Sequence, residues 1–248
     1  MNKIEYNKIA KSYAKYRNAS PRIVSHVMHE LSGRQISRIL EIGCGTADYL
    51  AVFSKEFNAS GCGFDNSEQM LKEGDGKNPG LKLLYGEIEE KFPFNDNGFE
   101  FAYSIDVIHY VKNLKHYYDE CFRILTADGV TVTVTDSDED LHNRTMTKYF
   151  PESLRTELQR YHSLEKIITT MRESGFKDIH VTHTSHQVNM TEDAFSKYKN
   201  KAYSAIRLVS EKSFEKGIRT MKKDMQNGVC KINENYSYVW GKKQERIV

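Results

Sequence analysis

Arg38-Ile39-Leu40-Glu41-Ile42-Gly43-Cys44-Gly45-Thr46-Ala47-Asp48 runs from a short apolar segment straight into two glycines. The first half reads as a buried strand, and Gly43 and Gly45 permit a tight turn that lets backbone approach a ligand closely. Working outward, Asp48–Phe57 places Leu50, Phe53 and Phe57 on one helical face, and Gly61–Asp65 is a second strand ending on an acid. A strand, a glycine turn, a helix and a second strand with a terminal carboxylate form one βαβ unit. In a parallel sheet built from such units, ligands sit beyond the carboxyl ends of the strands.

The alternation continues through the chain. Pro21 opens a helix carrying Ile23, Val24, Val27, Met28 and Leu31, which Gly33 ends. Ser67 is placed to cap a short helix with Met70 and Leu71, and Gly74–Gly80 reads as a loop. Strands are expected over Leu81–Tyr85, Phe99–Ser104 and Val130–Asp136, with a helix through Leu114–Leu125 between the last two. Beyond them come a polar stretch, 137–161, a helix at Leu164–Ser174 and a strand at Ile179–Val188. A strongly helical stretch follows at 191–226, and a last strand at Tyr236–Trp240. The expectation is an α/β, Rossmann-like, doubly wound, seven-stranded sheet. It is mostly parallel with an antiparallel last strand, has helices on both faces and carries a helical lid.

Bulk properties narrow the classes. The 248 residues carry 36 Lys/Arg and 34 Asp/Glu, and 39% of them are hydrophobic, enough for one sizeable core. No apolar run nears the roughly 20 residues of a membrane span, and the N-terminus lacks a secretory pattern, so a cytoplasmic protein is expected. The four cysteines, Cys44, Cys62, Cys121 and Cys230, have no metal-ligand spacing, and no metal is expected. Residues 191–248 hold 13 Lys/Arg against 7 Asp/Glu, a local +6 that hints at an anionic partner or a solvated basic face.

Two residues decide between cofactors. A dinucleotide turn needs a third glycine where this chain has Asp48, and Glu41 sets a carboxylate where a pyrophosphate would be repelled. A cationic cofactor without phosphate suits the turn better.

Residues 39–47 resemble the first motif of class I S-adenosylmethionine methyltransferases, and four further segments follow in register. Residues 63–71 resemble the family's ribose-binding segment, 86–94 its adenine loop, 99–111 its fourth strand and helix entry, and 123–129 the approach to the fifth strand. Ala47 replaces the family's third glycine, and Glu87 stands where Asp is commoner. The resemblance implies a small-molecule, UbiE-like enzyme with S-adenosylmethionine as cofactor and S-adenosylhomocysteine as product. It implies one domain over 1–248: cofactor-covering helices at 1–33, the core at 36–136, and substrate-side lid insertions at 137–163 and 189–226. Cofactor contacts are expected from Tyr13, Arg17, Glu41, Gly43, Cys44, Gly45, Asp65, Asn66, Met70, Glu87, Ile88, Ser104, Ile105 and Asp106.

Displacement at a sulfonium mainly requires alignment and exclusion of water; a base is needed only where the nucleophile arrives protonated. His109 is the candidate base, with Tyr110 beside it. Asp136, at the end of the fifth expected strand, faces the same mouth or is a simple turn residue. The expected partner is a small-molecule substrate of a monomer or homodimer. Nucleic acid is disfavoured because Ser104-Ile105-Asp106-Val107 stands where base-amine methylating members carry Asn/Asp-Pro-Pro-Tyr. The competing readings are an RNA- or protein-directed methyltransferase and a cofactor-binding scaffold without turnover.

Overall fold

The computed structural model describes residues 5–16 and 18–244. They form two compact units. One comprises 6–135, 162–182 and 238–248, and the other comprises 1–5, 136–161 and 183–237, the ends outside the described range included.

The first unit contains the expected βαβ units. Helices α1 (Tyr6–Tyr16) and α2 (Pro21–Glu30) precede β1 (Arg38–Ile42), α3 (Asp48–Phe57) and β2 (Ser60–Asp65). Then come α4 (Glu68–Lys77), β3 (Lys82–Tyr85), β4 (Phe99–Ile105), a 3-10 turn (Ile108–Tyr110), α5 (Leu114–Ile124) and β5 (Leu125–Thr135). The remaining elements are α6 (Asp138–Asn143), α7 (Thr145–Tyr149), α8 (Glu152–Arg160), α9 (Leu164–Glu173) and β6 (Lys177–Asn189). After them follow α10 (Glu192–Lys199), a 3-10 turn (Ser204–Leu208), α11 (Glu211–Gln226) and β7 (Lys231–Lys242).

The seven strands lie in the order β3-β2-β1-β4-β5-β7-β6, with β3, β2, β1, β4 and β5 mutually parallel. The order turns back between β1 and β4, and there the ends of two neighbouring strands leave a crevice. The last strands run antiparallel. Side-chain partners across β6 and β7 show why: His183 meets Ser237, Ser185 meets Asn235 and Gln187 meets Asn233, one strand counting up as the other counts down.

Strand alternation sends each side chain to one of two faces. Leu40, Ile42 and Ala102 join a core with α5 and α9 through Tyr117, Cys121, Ile167 and Met171, all fully or almost fully buried. Phe101 and Tyr103 point the other way and meet Phe53 of α3 edge-on, with ring centroids 6.3 and 5.0 Å apart. Helices thus cover both faces, as the doubly wound pattern requires.

Three expectations need correction. Gly74–Lys77 belongs to α4 and is not loop. A methyl group on Gly74 would lie 3.1 Å from the carbonyl carbon of Thr46, so this glycine lets α4 press against the turn after β1. The 191–226 stretch is two helices separated by a 3-10 turn, with Lys201 in a left-handed conformation at the break. The last strand also starts well before Tyr236, at Lys231, because polar residues pair across it with β6.

The second unit has its own apolar centre. Met146, Tyr149 and Phe150 pack with Phe195, Tyr198, Ile206 and Met221. Phe150 stacks on Tyr198 and Phe214 at 6.3 and 6.0 Å.

Candidate active site

The turn after β1 is built by backbone. Gly43 and Gly45 both adopt left-handed conformations, φ +69° and +51°, which favour glycine. The N–H groups of Gly43 and Cys44 both donate to the carbonyl of Phe64, at 2.9 and 3.0 Å, tying the turn to β2. A methyl group at Gly43 would lie 2.6 Å from Val107 Cγ2, so this residue, two past the end of β4, fills the space that a side chain would need.

Asp65 joins this turn to the next one. One carboxylate oxygen accepts the Gly45 N–H at 2.9 Å and the other accepts the Ser67 N–H at 2.9 Å. Each oxygen keeps lone-pair capacity for a further donor. Burial pushes the Asp65 carboxyl upward, and those backbone donors work against that shift. Ser67 caps α4, accepting from Met70 N at 3.3 Å.

Glu41 is almost wholly buried on the α3 side of the sheet. The N-cap residue of α3, Ala47, has no side-chain acceptor and sits at φ +58°, so the Glu41 carboxylate takes that part, accepting Leu50 N–H at 3.0 Å. Burial holds the Glu41 carboxyl well above the ordinary carboxylate range, and Asp48 and Asp65 add like-charge repulsion. Burial likewise pushes the Cys44 thiol up, with Glu41 adding to the effect. The cleft around the turn is lined by Tyr13, Glu41, Gly43, Gly45, Tyr49 and Ile105. Its carboxylates leave it suited to a cation and hostile to phosphate.

The other expected residues fall into distinct groups. Asn66 donates to Glu87 at 3.1 Å, and Tyr85 donates to the same carboxylate at 3.1 Å, so this pair forms one polar rim. Ile88 packs against the core on the α5 side, and the Met70 side chain is almost fully buried in α4. Ser104 is buried with its hydroxyl accepting from Tyr117 at 2.9 Å, which leaves its backbone as the part nearest the strand end. Asp106 adopts φ +57° and donates its N–H to the Val134 carbonyl at 3.1 Å. Arg17 lies outside the described residues.

His109 and Tyr110 occupy the 3-10 turn beyond β4, with ring centroids 4.2 Å apart. Tyr110 is held from α1: its hydroxyl and that of Tyr6 are 2.5 Å apart, and the rings meet edge-on at 5.9 Å. Tyr6 also meets Tyr13 edge-on at 6.1 Å. The α1 helix is fastened at two more points. Asn7 accepts from the Ser67 hydroxyl at 2.7 Å, and Lys77 donates to the Ala14 carbonyl while pairing with Asp48 at 2.6 Å.

Tyr6, Asn7 and Lys77 were not singled out from the sequence. A signal was present for Tyr6: it stands seven residues before Tyr13, on the same helix face. No comparable signal exists for Lys77, whose role depends on α4 running through Gly74.

Asp136 lies in the second unit. It is buried and held by the Arg144 guanidinium through two hydrogen bonds, while Arg144 also reaches Glu157 at 3.0 Å. Glu157 pairs in turn with Arg160 at 2.9 Å. Asp136 is therefore one member of a buried charge network and not a simple turn residue.

Comparison with known proteins agrees with this geometry. Residues 40–133 match the family model described as a methyltransferase domain. A demethylmenaquinone methyltransferase of Staphylococcus epidermidis is 30% identical over 124 residues, 47% of this chain and 50% of that protein. The chain thus spans about half the length of that relative. A protein of Anabaena variabilis, provisionally described as a methyltransferase from an antibiotic biosynthesis pathway, shares the fold. Its TM-score is 0.72 at 19% identity, over 92% of this chain and 99% of that one. Phosphoethanolamine N-methyltransferase 2 of Haemonchus contortus, solved with S-adenosylmethionine, gives a TM-score of 0.66 at 17% identity, over 98% of this chain and 61% of that one. With its glycine turn, its carboxylates and its strand order, the chain is similar to methyltransferases over residues 40–133 and shares their fold. No helix among the described residues is long and apolar enough to cross a membrane.

Proposed function

We propose that this chain places a methyl group on an oxygen, nitrogen or carbon atom of a small metabolite, with the cofactor seated across the Glu41–Gly45 turn. One observation carries the reading. Gly43 and Gly45 hold left-handed conformations against Val107 and Asp65, which opens a carboxylate-lined cleft at the crevice between β1 and β4. When bound, the cofactor supplies an electrophilic methyl on a sulfonium.

In this reading the residues divide the work. Asp65, its backbone donors already in place, accepts the ribose hydroxyls. Glu41 and the backbone of Gly43, Cys44 and Gly45 face the cationic methionine end. The rim of Asn66 and Glu87, with Ile88 and the buried Met70 as walls, takes the adenine. The backbone of Ser104, Ile105 and Asp106 lines the far side. Tyr13 and Arg17 close the site from α1 and the residue after it. His109 accepts the proton of a hydroxyl or ammonium nucleophile, and Tyr110, fixed through Tyr6, sets the position of that turn.

The test has two readouts. S-adenosylmethionine should raise the melting temperature of the protein, and a metabolite panel should release S-adenosylhomocysteine with at least one acceptor. Absence of any cofactor stabilisation would sink the reading of the turn. With an acceptor in hand, His109→Ala should lower kcat about 10²-fold or more while leaving cofactor stabilisation intact. Full activity in that variant would remove His109 as base and leave the cofactor site standing.

A further inference from the structure

Helix α11 carries an exposed basic stripe. Lys212, Lys216, Arg219 and Lys223 follow at intervals of four, three and four residues, and all four are exposed. At about 100° per residue they fall within an arc of about 60°, along about 16 Å of helix. The opposite side carries Gly217, Ile218, Met221 and Met225, which face the second unit's own core. Gly217 lets that side sit closely, since a methyl group there would lie 2.4 Å from the Phe150 ring.

Helix stability does not account for this stripe. Cations in a last turn complement the helix dipole, which covers Lys223. Lys212 stands in the first turn, where a positive charge is disfavoured. None of the four lies within ion-pair distance of a carboxylate among the described residues. The neighbouring acids are mostly committed elsewhere: Glu211 to Lys201 at 2.8 Å, and Asp224 to Tyr149 at 2.8 Å and Lys148 at 3.4 Å. Lys222 adds a fifth exposed cation beside the stripe, and Glu215 is the one acid left along it.

We infer that this face of α11 docks on an anionic lipid surface. A straight line of cations on an exposed helix side can meet a plane along its whole length. Three of the four are lysines, compact charges without the bidentate fork that favours arginine at nucleic-acid phosphates. No aromatic side chain interrupts the exposed face, so there is no platform on which a base could stack. The stripe runs out at Val229, an apolar residue more than half exposed just past the helix end and suited to a lipid headgroup boundary. The attachment is electrostatic and peripheral, because the apolar side of α11 is already used inside the protein. It stands independently of the methyl-transfer reading.

The test is co-sedimentation of the full chain with phosphatidylcholine vesicles, with and without phosphatidylglycerol. The protein should bind only the anionic vesicles, release at raised salt, and lose about five-fold in partitioning per cation removed in the series K212Q, K216Q, R219Q and K223Q. All four substitutions lie on solvent, so the melting temperature and the circular dichroism spectrum should be unchanged and report on folding. Equal binding to neutral vesicles would overturn the inference, and so would undiminished binding of the fourfold variant. Tighter, stripe-dependent binding to duplex DNA or RNA than to anionic vesicles would overturn it in favour of a nucleic acid.

Discussion

Gly43 and Gly217 both stand where a methyl group has no room, and the reasons differ between the two units. At Gly43 the backbone itself is left-handed, and Val107 merely fills what the glycine leaves open. Gly217 is an ordinary helical residue, and there the obstacles are the Phe150 ring and the Tyr149 carbonyl. The first unit positions its site by backbone conformation, and the second positions itself by side-chain packing and buried charge. That difference decides what each unit reveals in the sequence and how each should fail.

The largest expected effect falls on the second unit. Arg144 holds Asp136 and Glu157, both almost fully buried. Replacing it by Met takes the Arg144 guanidinium from buried Asp136 and leaves Glu157 paired with Arg160, a change that costs about 3–5 kcal/mol for a broken buried pair. Denaturant unfolding should show that loss. A cost below about 1 kcal/mol, the range of exposed pairs, would mean that the network is solvated and that charge does not hold this unit.

The paired glycine substitutions sharpen the contrast. Gly43→Ala combines left-handed strain of about 1–2 kcal/mol with overpacking of about 1–3 kcal/mol, and it should abolish stabilisation by S-adenosylmethionine. Adding Val107→Ala should relieve the overpacking and leave the strain, so cofactor binding should stay impaired. Gly217→Ala meets the same overpacking, offset by about 1 kcal/mol of better helix propensity. A net loss of up to about 2 kcal/mol with cofactor affinity unchanged is expected from chemical denaturation and calorimetric titration. Should Gly217→Ala weaken cofactor binding as much as Gly43→Ala, the division between the units would fail.

The same contrast explains what could be read in advance. Glycines, a terminal acid and short apolar runs are local signals, so β1, α3 and the Asp65 end of β2 match expectation almost residue for residue. Gly74 shows where a local signal misleads. Its composition reads as loop, yet it lies in a helix because its neighbour in space is the Thr46 backbone. In the second unit the ordering contacts are distant in the chain. Asn233 pairs with Gln187, Tyr149 with Asp224, and Phe150 stacks on Tyr198 and Phe214. Nothing in residues 137–161 alone announces those partners. Tyr6 is intermediate: its spacing from Tyr13 was visible, but its partner Tyr110 is 104 residues away.

The smallest expected effect is a change of slope with pH, and it probes the one residue where the two strategies overlap. Glu41 is placed by a strand yet works through its side chain, accepting Leu50 N–H at the start of α3. Burial raises its carboxyl well above the ordinary range, so the folded protein favours the protonated form. A raised acid contributes stability that is complete below its unfolded value and is lost as pH rises through the folded value. Glu41→Gln keeps an acceptor for Leu50 and has no proton to lose. Its melting temperature relative to the parent should therefore climb as pH is raised out of the acid range. S-adenosylmethionine should reverse the advantage, because a cation in the cleft stabilises the ionised carboxylate that Gln lacks. In thermal melts across pH, the cofactor-induced shift of the parent should grow with pH while that of Glu41→Gln stays flat. A parent shift that does not vary with pH would leave Glu41 as the cap of α3 and nothing more.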